Sequence, residues 1–478
     1  MLNTLLIFLG KFIFKISNLL NLGSGSTWPG HVALLGNKNF VKELIQKNKK
    51  LKIVLIAGTN GKTTTAKLIQ TILEKTGKKV FQNKAGANLL NGIASTLLLH
   101  SNEICAISYD YAIFEIDENS LPLILNELTP NYIILLNLFR DQLDRYGEVD
   151  SIAKKWKKSL NVIAGPRSGE AILTTLILNA DDPQIANLGL SLSHSQSDFR
   201  SEPRFNRGER SEKSYFSISY FGLNGHTRCG IEWTHPVWTA ETTDSTYCPN
   251  CGSKLKYKTI YFSHLGDWEC AKCGLKKPKT DLSNSSYYPL PGTYNMYNVH
   301  AALLFGKINN IDKLIIEQSL KKFKPAFGRQ EDLKADGKNI KIFLSKNPTS
   351  FNESLRTIKE LDAKNILFVL NDQIPDGRDI SWIWDVNFEE LINKDTNIIV
   401  SGDRCHDMAL RLKYIFSKSQ ILNLKSQNQN LKLKIFENLK EAINEALKQT
   451  QLDKTLYILP TYSAMLEVRK ILTGKKIL

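Results

Sequence analysis

The stretch LKIVLIAGTNGKTTTAKLIQTILEKTG, Leu51–Gly77, carries the clearest pattern in the chain. A short β-branched run gives way to a Gly-rich turn, and an amphipathic pattern then runs to Gly77, which predicts one strand–loop–helix unit. Further continuous apolar runs lie at Tyr111–Ile116, Tyr132–Leu138 and Ile172–Leu178. Apolar runs without polar alternation, separated by helical stretches, predict an α/β domain with a parallel sheet covered on both faces. Residues 191–216 are polar and aperiodic and predict a loop, and residues 217–286 hold cysteine pairs among short β-like pieces. A turn leading into a helix is predicted over Leu290–Gly306, and KPAFGRQEDL, Lys324–Leu333, reads as a boundary. From Ile340 a second alternation of apolar runs and helices begins (IKIFLS, NILFVLND, NIIVSGD, LKIFEN, LYILPTY), a smaller α/β domain. No internal repeat is evident.

The 478 residues exceed one ordinary core, so two to four domains are expected. The division is 1–35 as an amphipathic helix and lead-in, 36–325 as a central domain, and 326–478 as the second α/β domain. A hydrophobic share of 42% excludes wholesale disorder. The net charge of +16 suits nucleic acid, an anionic membrane surface or a phosphorylated substrate, and does not choose among them. Its excess is mostly Lys scattered among Asn and Ile, a pattern that base composition alone produces. Residues 1–22 are apolar but interrupted by Lys11 and Lys15, and the uninterrupted stretch is too short to span a bilayer. They predict an amphipathic helix, either packed on the protein or lying at a membrane surface. No small-residue cleavage site follows, so a cytoplasmic, reducing setting is expected, where CxxC pairs read as metal ligands.

GTNGKTTT, Gly58–Thr65, is the most informative string. Its glycines let backbone N–H groups turn toward phosphate oxygens, and the next helix adds its positive N-terminal end. Lys62 can reach the terminal phosphates, and the Thr63 hydroxyl can ligate Mg²⁺. CPNCG at 248–252 and CAKCG at 270–274 form two knuckles with eighteen residues between Cys251 and Cys270. Each turn aims two thiolates at one point, so Cys248, Cys251, Cys270 and Cys273 read as a closed Zn²⁺ site. A redox pair is the alternative, and four thiolates leave no open position for catalysis, which favours a structural clip. Cys405 beside His406 reads as the start of a helix rather than a nucleophile pair.

The loop variant GTNGKT(T/S) resembles the ATP loop of Mur ligases and folylpolyglutamate synthases, where ATP phosphorylates a carboxylate and an amine attacks the acyl phosphate. By that resemblance Gly58, Thr59, Asn60, Gly61, Lys62, Thr63 and Thr64 bind the nucleotide. Glu115, in FEIDE, is the candidate Mg²⁺ ligand with Thr63. Asn298, or Asn295, in TYNMYNVHAAL approaches the adenine, though either could instead cap the helix. Arg329, in AFGRQE, approaches the phosphates, and LNADDP, Leu178–Pro183, lies near the nucleotide. LSKNPTSFNE, Leu344–Glu353, stands where amino-acid-adding Mur ligases have a YAHxP segment, and it lacks the His.

The Cys₄ insertion and NDQIPDGRDISWIWDVNFEE, Asn371–Glu390, resemble the MurT-type subunits of lipid II isoglutaminyl synthase, as do DMALRLKY, LPTYSAMLEVRKIL and STWPGHVAL. The resemblance covers nearly the whole chain except 191–216. It implies a Mur ligase-like central P-loop ATPase domain, an inserted zinc ribbon over 220–286 and a smaller Rossmann-like C-terminal domain. It also implies ATP, Mg²⁺ and Zn²⁺ as cofactors, lipid II as substrate and a GatD-type glutaminase as partner, with no nucleic acid. The expected activity is that of a carbon–nitrogen ligase with glutamine as amido donor, converting the D-glutamate α-carboxylate to D-isoglutamine. Ammonia as nucleophile accounts for the absent His, and a lipid-anchored substrate suits the amphipathic start. Such chains supply an acid that orients the partner's catalytic His. Asp376, Asp379 and Asp385 are candidates, with Asp385, beside SWIW, preferred. The competing readings are a free-standing ligase adding an amino acid and a zinc-ribbon ATPase that binds nucleic acid.

Overall fold

A computed structural model describes residues 2–19, 27–83, 86–140, 149–163, 173–198, 216–224, 244–326, 328–391, 396–422 and 432–474. The chain forms two compact units, one of Met1–Pro289 with Tyr294–Phe323, the other of Leu290–Thr293 with Lys324–Leu478.

The first unit is built on six strands: β1 (Lys52–Ala57), β2 (Val80–Gln82), β3 (Tyr111–Ile116), β4 (Tyr132–Leu135), β5 (Thr174–Asn179) and β6 (Phe216–Phe221). They lie in the order β2-β3-β1-β4-β5-β6, every pair parallel. β1 reads KIVLIA and buries every residue after Lys52, because both faces of the sheet are covered. Ile53, Leu55 and Ala57 join Phe114, Leu135 and Leu178 on one face, while Val54, Ile56, Ile113 and Ile134 are buried on the other. Trp156, wholly buried, donates Nε1–H to the Glu118 carbonyl at 2.7 Å and ties the helix Val149–Ile163 to the segment after β3.

The helix Leu2–Leu19 buries Leu6 and Ile7 on the body and exposes its other side. Next to it, Trp28–Gly36 lies hard against the helix Leu90–His100. The Gly30 N–H donates to Ser95 Oγ at 2.7 Å, and a Cβ on Gly30 would stand 2.0 Å from the Asn91 carbonyl oxygen, so only glycine allows this approach. The helix Pro183–Asp198 runs into the stretch read from sequence as loop, since a packed helix with buried Ile185, Leu188 and Leu192 carries its polar last turns with it. Residues 199–215 of that stretch lie outside the described residues, as do 225–243 of the predicted ribbon, and Phe216, the last residue of the stretch, opens β6. What is described of the ribbon is an antiparallel hairpin, β7 (Lys256–Phe262) and β8 (Leu265–Glu269), with a cysteine knuckle on either side.

The second unit holds β9 (Arg329–Ala335), β10 (Lys338–Phe343), β11 (Asn365–Val369), β12 (Asn397–Ser401), β13 (Leu433–Ile435) and β14 (Thr455–Pro460). The order is β13-β12-β11-β14-β10-β9, parallel except for the β9 edge. Helices Pro348–Glu360 and Cys405–Leu422 cover Phe343, Phe368 and Val400, while Leu439–Gln449 and Tyr462–Thr473 cover Ile342, Leu367 and Ile458. The order in which strands are added switches sides between the parallel neighbours β11 and β14, the kind of point where ligands of open α/β sheets bind. The bidentate pair Glu331–Arg469, both bonds 2.7 Å, fastens the start of β9 to the last helix.

Candidate functional site

Between β1 and the helix Lys62–Lys75, the loop turns at Gly58 (φ +141°) and Gly61 (φ +92°), backbone states that glycine adopts freely. A Cβ on Gly61 would lie 2.1 Å from Asn298 Oδ1, so the loop presses directly on that side chain. From the other side Asn137, the polar end of the β4 run, clamps it. Its carbonyl accepts from the Thr59 N–H at 3.0 Å, its Oδ1 accepts from the Asn60 N–H at 2.9 Å, and its Nδ2 donates to the Asn60 carbonyl at 3.1 Å. Phe139 N–H donates to Thr59 Oγ1 at 3.0 Å. The loop is thus held in shape by groups on β4's C-terminal extension and on the helix that carries Asn298.

Lys62 folds back over the loop. Its ammonium donates to the Gly58 carbonyl and, at 3.3 Å, to the Thr59 carbonyl, and stands 3.6 Å from the Glu118 carboxylate. Thr63 Oγ1 donates to Glu115 Oε2 at 2.7 Å. β1 and β3 are adjacent with Ile56 opposite Glu115, which carries this acid to the loop. Asn83, just after β2, fixes Glu115, donating to its carbonyl and accepting from its N–H, both at 2.9 Å. Glu115, Asp117 and Glu118 are all buried. A hydroxyl and a carboxylate in contact at the start of a helix, beside a lysine, form the donor set that Mg²⁺ and a nucleotide's phosphates require. Glu118, Asn83 and Asn137 escaped the sequence reading. Glu118 lay inside the quoted FEIDE string, but nothing in the sequence marked the two asparagines.

Asn298 is buried on the helix Thr293–Ile308, where its Oδ1 accepts from Thr65 Oγ1 at 3.4 Å and its Nδ2 donates to Asn295 Oδ1 at 3.2 Å. The family resemblance implies an approach to the adenine; in the structure its Oδ1 stands against Gly61 of the loop. Arg329 opens β9 in the second unit and is half-buried. Asn347 caps the helix Pro348–Glu360 in a capping box with Ser350, so the LSKNPT segment is a helix start.

The four cysteine sulfurs lie within 4.8 Å of one another, with Cys248–Cys273 at 3.6 Å and Cys251–Cys270 at 3.5 Å. Four thiolates on one tetrahedral Zn²⁺ at about 2.3 Å stand roughly 3.8 Å apart, so the set fits that ion and not a disulfide. Hydrogen bonds from Ser253 draw the Cys251 thiol down to about 6, while burial pushes Cys248 up to about 12. The LNADDP segment joins this ribbon to the loop. Trp268 Nε1–H donates to the Ala180 carbonyl at 3.1 Å, and His264 meets Asp182 at 3.2 Å. Asp182 also accepts the Leu138 N–H at 2.9 Å, one residue from the Asn137 clamp, and the Phe139 ring lies 4.8 Å from His264. Asp181 accepts from Tyr297 Oη and Lys277, each at 2.7 Å. Burial pushes its carboxyl up, and the Lys277 ammonium pulls it back.

In the second unit the three candidate acids have different surroundings. Asp376 is buried and accepts from the N–H and hydroxyl of Ser463, capping the last helix. Burial raises its pKa against those bonds. Asp379 is exposed and accepts the Ser381 N–H at 2.8 Å, which lowers its pKa. Asp385 is exposed at the end of the 3₁₀ turn Ser381–Asp385, and among the described residues no donor reaches its carboxylate. Arg411 braces that turn, pairing with Glu389 at 2.9 Å, donating to the Ile383 and Val386 carbonyls and lying 5.4 Å from the Trp384 ring. Cys405 is buried, and its neighbour His406 meets Glu437 at 3.2 Å.

The chain matches the MurT ligase C-terminal family over residues 344–465 and the Mur ligase middle-domain family over residues 56–214. It is 32% identical over 407 residues to the MurT subunit of lipid II isoglutaminyl synthase (glutamine-hydrolyzing) of Staphylococcus aureus strain COL, covering 81% of this chain and 83% of that one. Against the corresponding subunit of Streptococcus pneumoniae strain R6 it is 30% identical, covering 95% and 94%. Among solved structures, a pseudomurein peptide ligase type C from Methanothermus fervidus shares the fold at a TM-score of 0.60 and 21% identity, covering 91% of this chain and 81% of that one. With the loop, its buried acids and the Cys₄ cluster in the arrangement described, the chain belongs to the MurT family of lipid II isoglutaminyl synthase subunits, within the Mur ligases.

Proposed function

We propose that this chain uses ATP to activate the α-carboxylate of D-glutamate in the lipid II stem peptide for amidation to D-isoglutamine, at the inner face of the cell membrane. The observation that carries the reading is the Thr63–Glu115 contact at 2.7 Å beside Lys62, at the mouth of a glycine-turned loop, in a chain of this family. A carboxylate oxygen attacks the γ-phosphorus, ADP leaves, and an acyl phosphate forms. The nitrogen of ammonia attacks the acyl carbon, phosphate leaves, and the nitrogen sheds one proton to solvent. The N–H groups of Gly58–Thr64 cradle the phosphates, and Lys62 spans the terminal ones. Thr63 and Glu115 would hold Mg²⁺, which neutralises charge during phosphoryl transfer. Cys248, Cys251, Cys270 and Cys273 would hold a structural Zn²⁺. Ammonia comes from a GatD-type glutaminase subunit, whose catalytic His is oriented by Asp385. That carboxylate is exposed, meets no donor among the described residues and follows the exposed Trp384, an aromatic of the kind enriched at interfaces. Asp379 is the second choice, since its carboxylate already caps a turn.

The division of labour is tested by nitrogen donor. The purified chain should use ammonium and not glutamine, and adding a GatD-type subunit should make glutamine a donor. Asp385→Asn should cut the glutamine-dependent rate on the order of 10²- to 10⁴-fold, because an amide cannot stabilise an imidazolium, and should leave the ammonium-dependent rate near wild type. Equal loss with both donors would assign Asp385 to this chain's own chemistry or folding. Glutamine use by the isolated chain would overturn the two-subunit reading.

A further inference from the structure

The two sides of the helix Leu2–Leu19 differ. Leu6, Ile7 and Gly10 turn inward, and a Cβ on Gly10 would lie 2.5 Å from Leu98 Cδ1, so that side is tightly packed. Leu5, Phe8, Leu9, Phe12, Ile16 and Leu19 stay exposed, Phe8 at 70% and Leu19 at 81%. Their spacing puts them on one stripe of an α-helix, roughly 27 Å long at 1.5 Å per residue. Single exposed apolar side chains carry no message, but a continuous stripe does. On the adjoining helix Trp28–Gly36, Trp28 and Leu35 are exposed as well.

The charge around this stripe selects its occupant. The first fifty residues hold seven lysines and one acid. That acid, Glu43, is engaged by the side-chain amides of Asn3 and Asn37 at 2.8 and 3.0 Å. Lys15, Lys38, Lys42, Lys47, Lys49 and Lys50 are exposed. A second copy docking on the stripe would bring two such lysine sets together, whereas an anionic lipid surface neutralises them. Among the described residues no helix is long and apolar enough to cross a membrane. Leucines and phenylalanines on one side, exposed Lys15 on the same helix, further exposed lysines in the segment that follows in the chain and an exposed Trp on the adjoining helix make up the composition of a helix lying in the headgroup boundary. We propose that the exposed face of Leu2–Leu19, with Trp28 beside it, docks this chain on an anionic lipid bilayer. The inference rests on the functional reading for its purpose, presenting the active loop to a lipid-anchored substrate, and on the exposed stripe for its physics.

Vesicles without lipid II separate the two. The full chain should co-sediment with vesicles of phosphatidylglycerol and phosphatidylcholine, bind vesicles of phosphatidylcholine alone far less, and release as salt rises. Phe8→Glu with Phe12→Glu should weaken vesicle binding at least about tenfold, since both side chains would otherwise leave water. ATP binding and the melting temperature should not change, because both positions are exposed. Failure to bind anionic vesicles would overturn the inference, and so would a dimer in lipid-free solution that the double variant abolishes. Loss of amidation activity with vesicle binding intact would count against the functional reading alone.

Discussion

Lys62→Ala should reduce ATP-dependent amidation about 10²-fold or more, with ammonium as donor and, when a GatD-type subunit is added, with glutamine alike. Phosphoryl transfer asks a protein for positioning and charge neutralisation, and Lys62 is the cation this loop offers. Its ammonium already stands at the loop carbonyls and 3.6 Å from Glu118, so it needs only to exchange those partners for phosphate oxygens. Removal also leaves Glu118, a buried carboxylate, facing incoming phosphates without its counter-ion. Weaker nucleotide binding should therefore accompany the slower chemistry, and both are measurable on one preparation by nucleotide titration and initial rates. Because Lys62 is largely buried and its loss strands the buried Glu118 carboxylate, the melting temperature of the nucleotide-free protein should fall as well. Activity within about tenfold of wild type would remove Lys62 from the reaction.

The loop was legible in the sequence because its chemistry is local. Two glycines at left-handed positions, a lysine at the first helical residue and a threonine after it are set by neighbours in the chain. The parallel sheets were legible for a similar reason: strands such as KIVLIA and YAIFEI bury both faces and so lack alternation. Strand order was not, since nothing in β1 says that β3 and β4 will flank it. Long-range supports were equally hidden. Thr65 and Asn298 meet across 233 positions, and the Asn137 clamp is an ordinary residue at the end of an apolar run. The three aspartates of the PDGRDISWIWD string look alike in sequence. Folding separates them, one spent on a helix start, one on a turn and one left facing solvent.

Removing one thiolate should have the second large effect. Wild type should carry one tightly bound zinc per chain by elemental analysis, and Cys270→Ser should lose it. Structural zinc contributes folding free energy directly, on the order of 10 kcal/mol in small ribbons, so the β7–β8 hairpin should open and the melting transition should fall or broaden. The ribbon's contacts carry the effect further. Trp268 is seated on the Ala180 carbonyl and His264 on Asp182, and Asp182 holds Leu138, next to the Asn137 clamp on the phosphate loop. Loosening the hairpin frees Asp182 and the segment after β4 together, so nucleotide affinity should drop about tenfold, well beyond what loss of a remote clip would cause. His264→Ala provides the intermediate case: zinc stays bound while nucleotide affinity falls. Cys405→Ser is the control, a buried thiol outside the cluster, and should keep its metal. A zinc-free Cys270→Ser protein with unchanged melting and full nucleotide affinity would show that the four cysteines neither bind a structural ion nor support the loop.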